Sequence, residues 1–222
     1  MVHFEKSMPA PDCLAVEKAK ANGNYNCGQV LERIKNDFKN KCYICEYKEP
    51  ESINIEHFRP HQGNPDLKFS WENLFFSCAH CNNIKLANYD NILDCSKSED
   101  NVDTDLKYIF KPFPFEKVKI ESLIDNDRVN TTRNLLMAVY NGTTMLKKLE
   151  SANLRNSLLD DIMQFQKLLK DYFEISDDDN DGREYFRIKI RNELGKSSSF
   201  TAFKRWIIWD NEKLNEKFGG MI

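Results

Sequence analysis

Residues 42–85 read CYICEYKEPESINIEHFRPHQGNPDLKFSWENLFFSCAHCNNIK, and this stretch decides the fold. It carries two Cys-x-x-Cys pairs, Cys42/Cys45 and Cys78/Cys81, separated by a segment that holds the dipeptide Glu56-His57 and the single residue Asn73. Each pair offers two thiolates from one tight turn. Two such knuckles close a tetrahedral four-sulfur shell around zinc, whose bonds of about 2.3 Å set how near they must come. Residues 42–81 therefore form one closed loop. The enclosed segment is too polar to fold alone, so the metal supplies the missing core. Four thiolates leave no open position, which makes this zinc structural.

The chain has seven cysteines and no secretory signal, which argues against a disulfide framework. Cys13, Cys27 and Cys95 lack the knuckle spacing and read as ordinary buried or surface thiols. The opening MVHFEKSMPAPDC has no apolar signal region, and no run approaches the roughly eighteen apolar residues of a membrane helix. The expected setting is soluble, reducing and cytoplasmic. A length of 222 residues suffices to bury a real core. The formal charge of −3 is not that of a free-standing nucleic-acid binder. Residues 183–217 set nine Lys/Arg against five acids, a local +4 that reads as a solvated helical face or, in the alternative, a phosphate-facing surface. Were nucleic acid the substrate, a partner would supply much of the electrostatic grip.

Within the decisive stretch, residues 53–58 alternate apolar with polar, the period of a half-exposed strand; Ile53, Ile55 and His57 share one face and Glu56 takes the other. Pro60, Gly63, Asn64 and Pro65 make a loop. Residues 71–76 form a second short segment, and 79–89 a helix that opens at the second knuckle. Strand, loop, strand and helix with a metal at one end make a ββα unit. Upstream, Pro9-Ala10-Pro11 precedes a helix over 12–21 capped by Asp12, Asn22-Gly23-Asn24 turns the chain, and Leu31, Ile34 and Phe38 mark an amphipathic helix over 28–40. Downstream, 108–120 reads as an edge strand or hairpin interrupted by Pro112 and Pro114. Sustained helical periodicity follows from Leu135 to Phe173, and a final helix over 199–218 stripes Phe200, Phe203, Trp206 and Ile207 on one face, as core or as a partner interface.

The fold class expected is α+β. An N-terminal helical segment (1–41) leads into a zinc-stapled ββα core (42–95), followed by a mainly helical lobe (96–222) that docks a partner. Asp177, Asp179, Asp181 and Gly182 match the start of an EF-hand loop, but its twelfth position falls on Ile188 instead of a bidentate Glu, so the stretch reads as an acidic solvated turn.

The core stretch has the parts that phosphodiester hydrolysis needs: a base for water, a hard cation and something to hold the base. His57 is the candidate base, Glu56 a carboxylate ligand for Mg2+ or Mn2+, and Asn82, just after Cys81, a second ligand. Asn73 is placed to hydrogen-bond backbone across the loop and orient His57. This pattern resembles the HNH (ββα-metal) endonuclease family. The family's acidic-residue-plus-His falls on Glu56-His57, its central Asn on Asn73 in WENL, and its final His or Asn on Asn82 in CAHCNNIK. Glu stands where Asp is more frequent. Lys85 falls where the family often has a basic residue that touches phosphate. His80 reads as a knuckle residue; His61 is near enough to reach the site, and Arg59 either clamps phosphate or pairs with an acid.

Beyond the motif, Pro-Ala-Pro-x-Cys-Leu at the start, CYICE, EHFRP, WxNL, CxxCNxxK, ILDC and a helical second half resemble the HNH subunit (PtuB-like) of Septu-type and retron-associated antiphage systems. The likeness is loose outside residues 42–85. It implies a hetero-oligomer with an ABC/RecN-like ATPase (PtuA-like) in which the nuclease cuts nucleic acid, with DNA the expected substrate, when infection is sensed. Two rivals remain: a non-catalytic zinc-knuckle module that binds nucleic acid or protein, and a homing or restriction nuclease acting alone, for which a sequence-reading basic arm is missing.

Overall fold

A computed structural model describes every residue except Ala87 and Asp177. The fold is α+β, with two small antiparallel sheets and a helical second half. Among the described residues no helix is long and apolar enough to cross a membrane.

The first sheet is a hairpin of β1 (Ile53–His57) and β2 (Leu74–Cys78), in register from Ile53 opposite Cys78 to His57 opposite Leu74. Between them lie α3 (Pro65–Lys68) and a 3-10 turn over Trp71–Asn73. Asn64 caps α3 by accepting from the Asp66 amide, with Pro65 at the first helical position. Directly after β2 comes α4 (Ala79–Lys85), so the ββα order expected from the sequence is present. The helix is shorter than 79–89; Leu86 leaves it with φ +40, and Ala87 lies outside the described residues.

Every residue of β2 is buried, because elements cover both faces of the hairpin. Helix α2 (Val30–Asp37), the following Phe38 and α4 all pack against it. Phe38, Tyr43 and Phe58 all meet Phe75, with ring centroids 5.2, 4.9 and 4.9 Å away. Such pairs add about 0.5–1.5 kcal/mol each beyond their buried area. In β1, Ile53 is 41% exposed, whereas Glu56 points inward at 5%.

The second sheet pairs β3 (Leu106–Ile109) with β4 (Lys119–Ser122), and Pro112 and Pro114 fall in the connecting loop, where neither needs to donate. Helices α5 (Asp127–Asn141), α6 (Met145–Glu174), α7 (Asn180–Leu194), α8 (Thr201–Trp209) and α9 (Glu212–Phe218) complete the chain. Asn126, Thr144, Asp179 and Asn211 cap α5, α6, α7 and α9 through their side chains. The Asn211 cap divides the single helix expected over 199–218 in two, since Asp210 and Asn211 favour local side-chain bonds over helix continuation. Asp179 serves as a helix cap, bonding the Gly182 amide at 2.9 Å. Asp177, the first position of the EF-hand pattern, lies outside the described residues.

Three further expectations are corrected. The first helix, α1 (Asp12–Lys18), ends early: the chain turns back so tightly that a Cβ on Gly23 would stand 1.8 Å from the Glu17 carbonyl oxygen. Its N-cap is Pro11, and Asp12 instead sits in the first turn. Cys13 and Cys27, read as separate thiols, form a disulfide, because this turn brings their Cα atoms to 6.1 Å. Finally, Lys204 and Arg205 of the 183–217 stretch face inward. Lys204 is fully buried between Asp161 (2.6 Å) and Glu193 (2.5 Å), and Arg205 pairs with Asp103 at 2.9 Å.

One contiguous core runs from Met1 to Phe203 across the three sequence segments, and a smaller one joins α6 to α9 around Phe165, Tyr172 and Phe218. The first knuckle is clamped to the C-terminal helices. Glu46 accepts from the Ala202 amide at 3.1 Å, and Lys41 donates to Thr201 Oγ1 at 2.9 Å.

Candidate metal centre and hydrolytic site

The four knuckle cysteines converge. Cys42 and Cys45 come from the turn after α2, Cys78 ends β2 and Cys81 lies in α4, and all four Sγ atoms fall within 4.8 Å of one another. A tetrahedron with arms of about 2.3 Å has edges of about 3.8 Å. The Cys45 and Cys78 sulfurs are 3.9 Å apart. Burial pushes the Cys45 and Cys81 thiols well above their usual range. It opposes the Cys42 thiolate too, yet hydrogen bonds from the other three cysteines outweigh it and hold Cys42 well below that range. Four buried cysteine sulfurs at this spacing are a donor set suited to a soft divalent cation, and zinc fits it.

Beside this frame stands His57, half-buried at the end of β1. Its Nε2 lies 3.0 Å from the Lys68 carbonyl oxygen. A carbonyl can only accept, so Nε2 carries the proton and Nδ1 keeps a lone pair. Burial lowers the His57 pKa from its usual value, the Lys68 carbonyl opposes that shift and His61 adds to it, which favours the neutral ring. Two rings flank the imidazole, Tyr25 and His61, each with its centroid 4.6 Å away.

Asn73, buried, bridges backbone across the loop. Its Oδ1 accepts from the Arg59 amide at 2.7 Å, while Nδ2 donates to the Arg59 and Leu67 carbonyls at 2.9 and 3.0 Å. The strand exit is thus tied to the segment whose Lys68 carbonyl holds His57. Asn73→Ala strips partners from three backbone groups and should cost about 2–4 kcal/mol in urea unfolding. Asn73→Asp should cost more, since it turns a carboxylate oxygen toward two carbonyls.

Glu56 lies on the other side of the strand. Its Oε1 is 2.8 Å from Lys85 Nζ and accepts from the Tyr43 hydroxyl at 3.2 Å. Burial pushes its carboxyl pKa up, against the pull of Lys85. Lys85 is itself fully buried and also donates to the Phe58 carbonyl at 2.8 Å, so it does not stand on the surface where a phosphate would meet it. Lys85→Met would leave a buried carboxylate uncompensated and should destabilise the fold by about 3–5 kcal/mol. Adding Glu56→Gln should recover most of that loss, read by thermal and urea unfolding of the single and double variants.

Glu56 Oε2 is buried and has no hydrogen-bond partner among the described residues. Asn82, half-buried, sits three residues before Lys85 on α4. The orphaned carboxylate oxygen is a hard donor of the kind Mg2+ takes.

Of the remaining candidates, His61 stays beside His57 and His80 does not. His80 bridges away from the site, with Nδ1 2.7 Å from Glu150 and Nε2 2.9 Å from the Val139 carbonyl, docking α4 on the helical lobe. His61 Nδ1 accepts from the Gly63 amide at 3.1 Å, and Arg59 is exposed. Tyr25 was not legible as a site residue: it lies 32 positions before His57, and nothing in its local pattern marks it.

No family model matches the chain. Over 96 aligned residues it is 32% identical to the Septu protein PtuB of Bacillus thuringiensis. The alignment covers 38% of this chain and 37% of that protein, so the chain matches little more than a third of its curated relative's length. This supports a relationship to Septu defence proteins.

Proposed function

We propose that the chain is a metal-dependent endonuclease of the HNH (ββα-metal) type that hydrolyses phosphodiester bonds in DNA. In this reading it is the effector nuclease of a cytoplasmic antiphage complex with an ABC/RecN-like ATPase. The observation that carries the nuclease reading is the state of His57. Its proton is committed to the Lys68 carbonyl and its Nδ1 lone pair is available, at the end of a hairpin stapled by a four-cysteine cluster. The Septu likeness supports the defence role.

In the reaction, Nδ1 of His57 takes the proton of a water as that water attacks phosphorus. The Nε2–H bond to Lys68 steadies the resulting imidazolium, and Asn73 keeps the carbonyl-bearing loop in register. Glu56 Oε2 and Asn82 would hold the Mg2+ or Mn2+, which when bound supplies charge neutralisation at the scissile phosphate and leaving oxygen. Cys42, Cys45, Cys78 and Cys81 would hold the zinc, which would tie the first knuckle to β2 and α4.

The deciding experiment incubates the zinc-loaded chain with plasmid and single-stranded DNA, with Mg2+ or Mn2+ and with EDTA, alone and with the candidate ATPase. Cleavage that appears with the metal and disappears with the chelator is expected. No cleavage in any arm would leave a zinc-knuckle binding module.

A further inference from the structure

We propose that Tyr25 is a positioning residue for His57 and that the Cys13–Cys27 disulfide is the clasp that keeps it in place, so that reducing this bond loosens the hydrolytic site. The effect on cleavage rests on the endonuclease reading. The clasp itself rests on geometry alone.

The segment that carries Tyr25 meets the main core largely through half-buried residues, Cys13, Tyr25 and Cys27. Leu14 is the one buried residue of α1, and across 19–29 only Gly23 is buried. Glu17 accepts from the Asn24 amide at 2.9 Å, and Lys18 meets Asp66 at 2.6 Å in an exposed pair that contributes little. The covalent bond between Cys13 and Cys27 closes this loop across a separation of 14 residues. A loop seated on the core by half-buried side chains gains further definition from this closure.

The same segment reaches His57 by two routes. Tyr25 sets its ring edge-on against the imidazole, and the Gly23 carbonyl accepts from Lys68 Nζ at 2.9 Å. Lys68 is the residue whose carbonyl holds His57 Nε2. Opening the loop therefore withdraws one ring wall and slackens the backbone that orients the base. With a phosphine reductant, the S–S bond takes two electrons and breaks, each sulfur gains a proton, and the phosphine becomes its oxide with oxygen from water.

The test uses the full, zinc-loaded chain and does not need it to be active. Diethyl pyrocarbonate modification of His57 is followed by peptide mass spectrometry, with His80 as the internal reference, in the oxidised protein, after tris(carboxyethyl)phosphine, and in Cys13→Ser/Cys27→Ser, Tyr25→Ala and Tyr25→Phe. Severalfold faster modification at His57 is expected after reduction, in the double serine variant and in Tyr25→Ala. Tyr25→Phe should match wild type, because the ring and not the hydroxyl makes the contact. Equal rates in all samples, at unchanged zinc content, would overturn the proposal. In the cleavage assay Tyr25→Ala should lower kcat by about 10- to 100-fold with KM little changed, restored in Tyr25→Phe. If the modification rates differ while no sample cleaves DNA, the clasp stands and the nuclease reading falls.

Discussion

Cys81→Ser is expected to abolish the cooperative unfolding transition. Cys81 is fully buried and lies in α4, the helix that also carries Asn82 and Lys85. Structural zinc sites contribute about 10–16 kcal/mol of apparent binding free energy, as much as the roughly 5–15 kcal/mol that holds a whole domain together. Removing one thiolate leaves three sulfurs with an open corner and unties α4 from β2. Plasma mass spectrometry should find one zinc per wild-type chain and far less in the variant, with circular dichroism showing a broad melt in place of a sharp one. Prolonged chelation of the wild type should reproduce that melt. A wild-type protein that purifies without metal and still melts sharply, with Cys81→Ser melting just as sharply, would remove zinc from the account of this fold.

The second large effect belongs to His57→Ala. Loss of a positioned general base costs about 10²–10⁴ in rate, and here the whole cost should fall on the chemical step. The side chain is half-buried at the end of a strand, so the fold should survive its truncation. The measurement is single-turnover cleavage with Mg2+ or Mn2+, alongside zinc content and melting temperature. A fall in rate with both controls unchanged is the expected result. Full activity in His57→Ala would sink its assignment as the base. A parallel fall in zinc content would mean that the ring serves the frame and not the reaction.

Some of this was legible because it depends on spacing along the chain. Two Cys-x-x-Cys pairs announce a four-sulfur cluster whatever surrounds them, since each pair is local and the metal radius sets their distance. The order of strand, strand and helix followed from alternation and from where polar loop residues interrupt it. Asn73 could be singled out by its place just before the second strand, opposite the exit of the first.

Other features lay outside any local pattern. Alternation along β1 shows that Glu56 and His57 face opposite ways, but not which face the protein covers. That was settled by the elements that pack on the hairpin, α4 among them, whose Lys85 meets the inward Glu56. The fate of Lys204 and Arg205 was likewise invisible in a count of charges, because Asp161, Glu193 and Asp103 reach them from distant elements. The sequence by itself determined the four-cysteine cluster and the ββα order, both of which are set by short-range spacing. Only the tertiary structure decided the partners of Glu56, the Cys13–Cys27 bond and the approach of Tyr25 to His57, because burial and ring contacts depend on which distant segments the fold brings together.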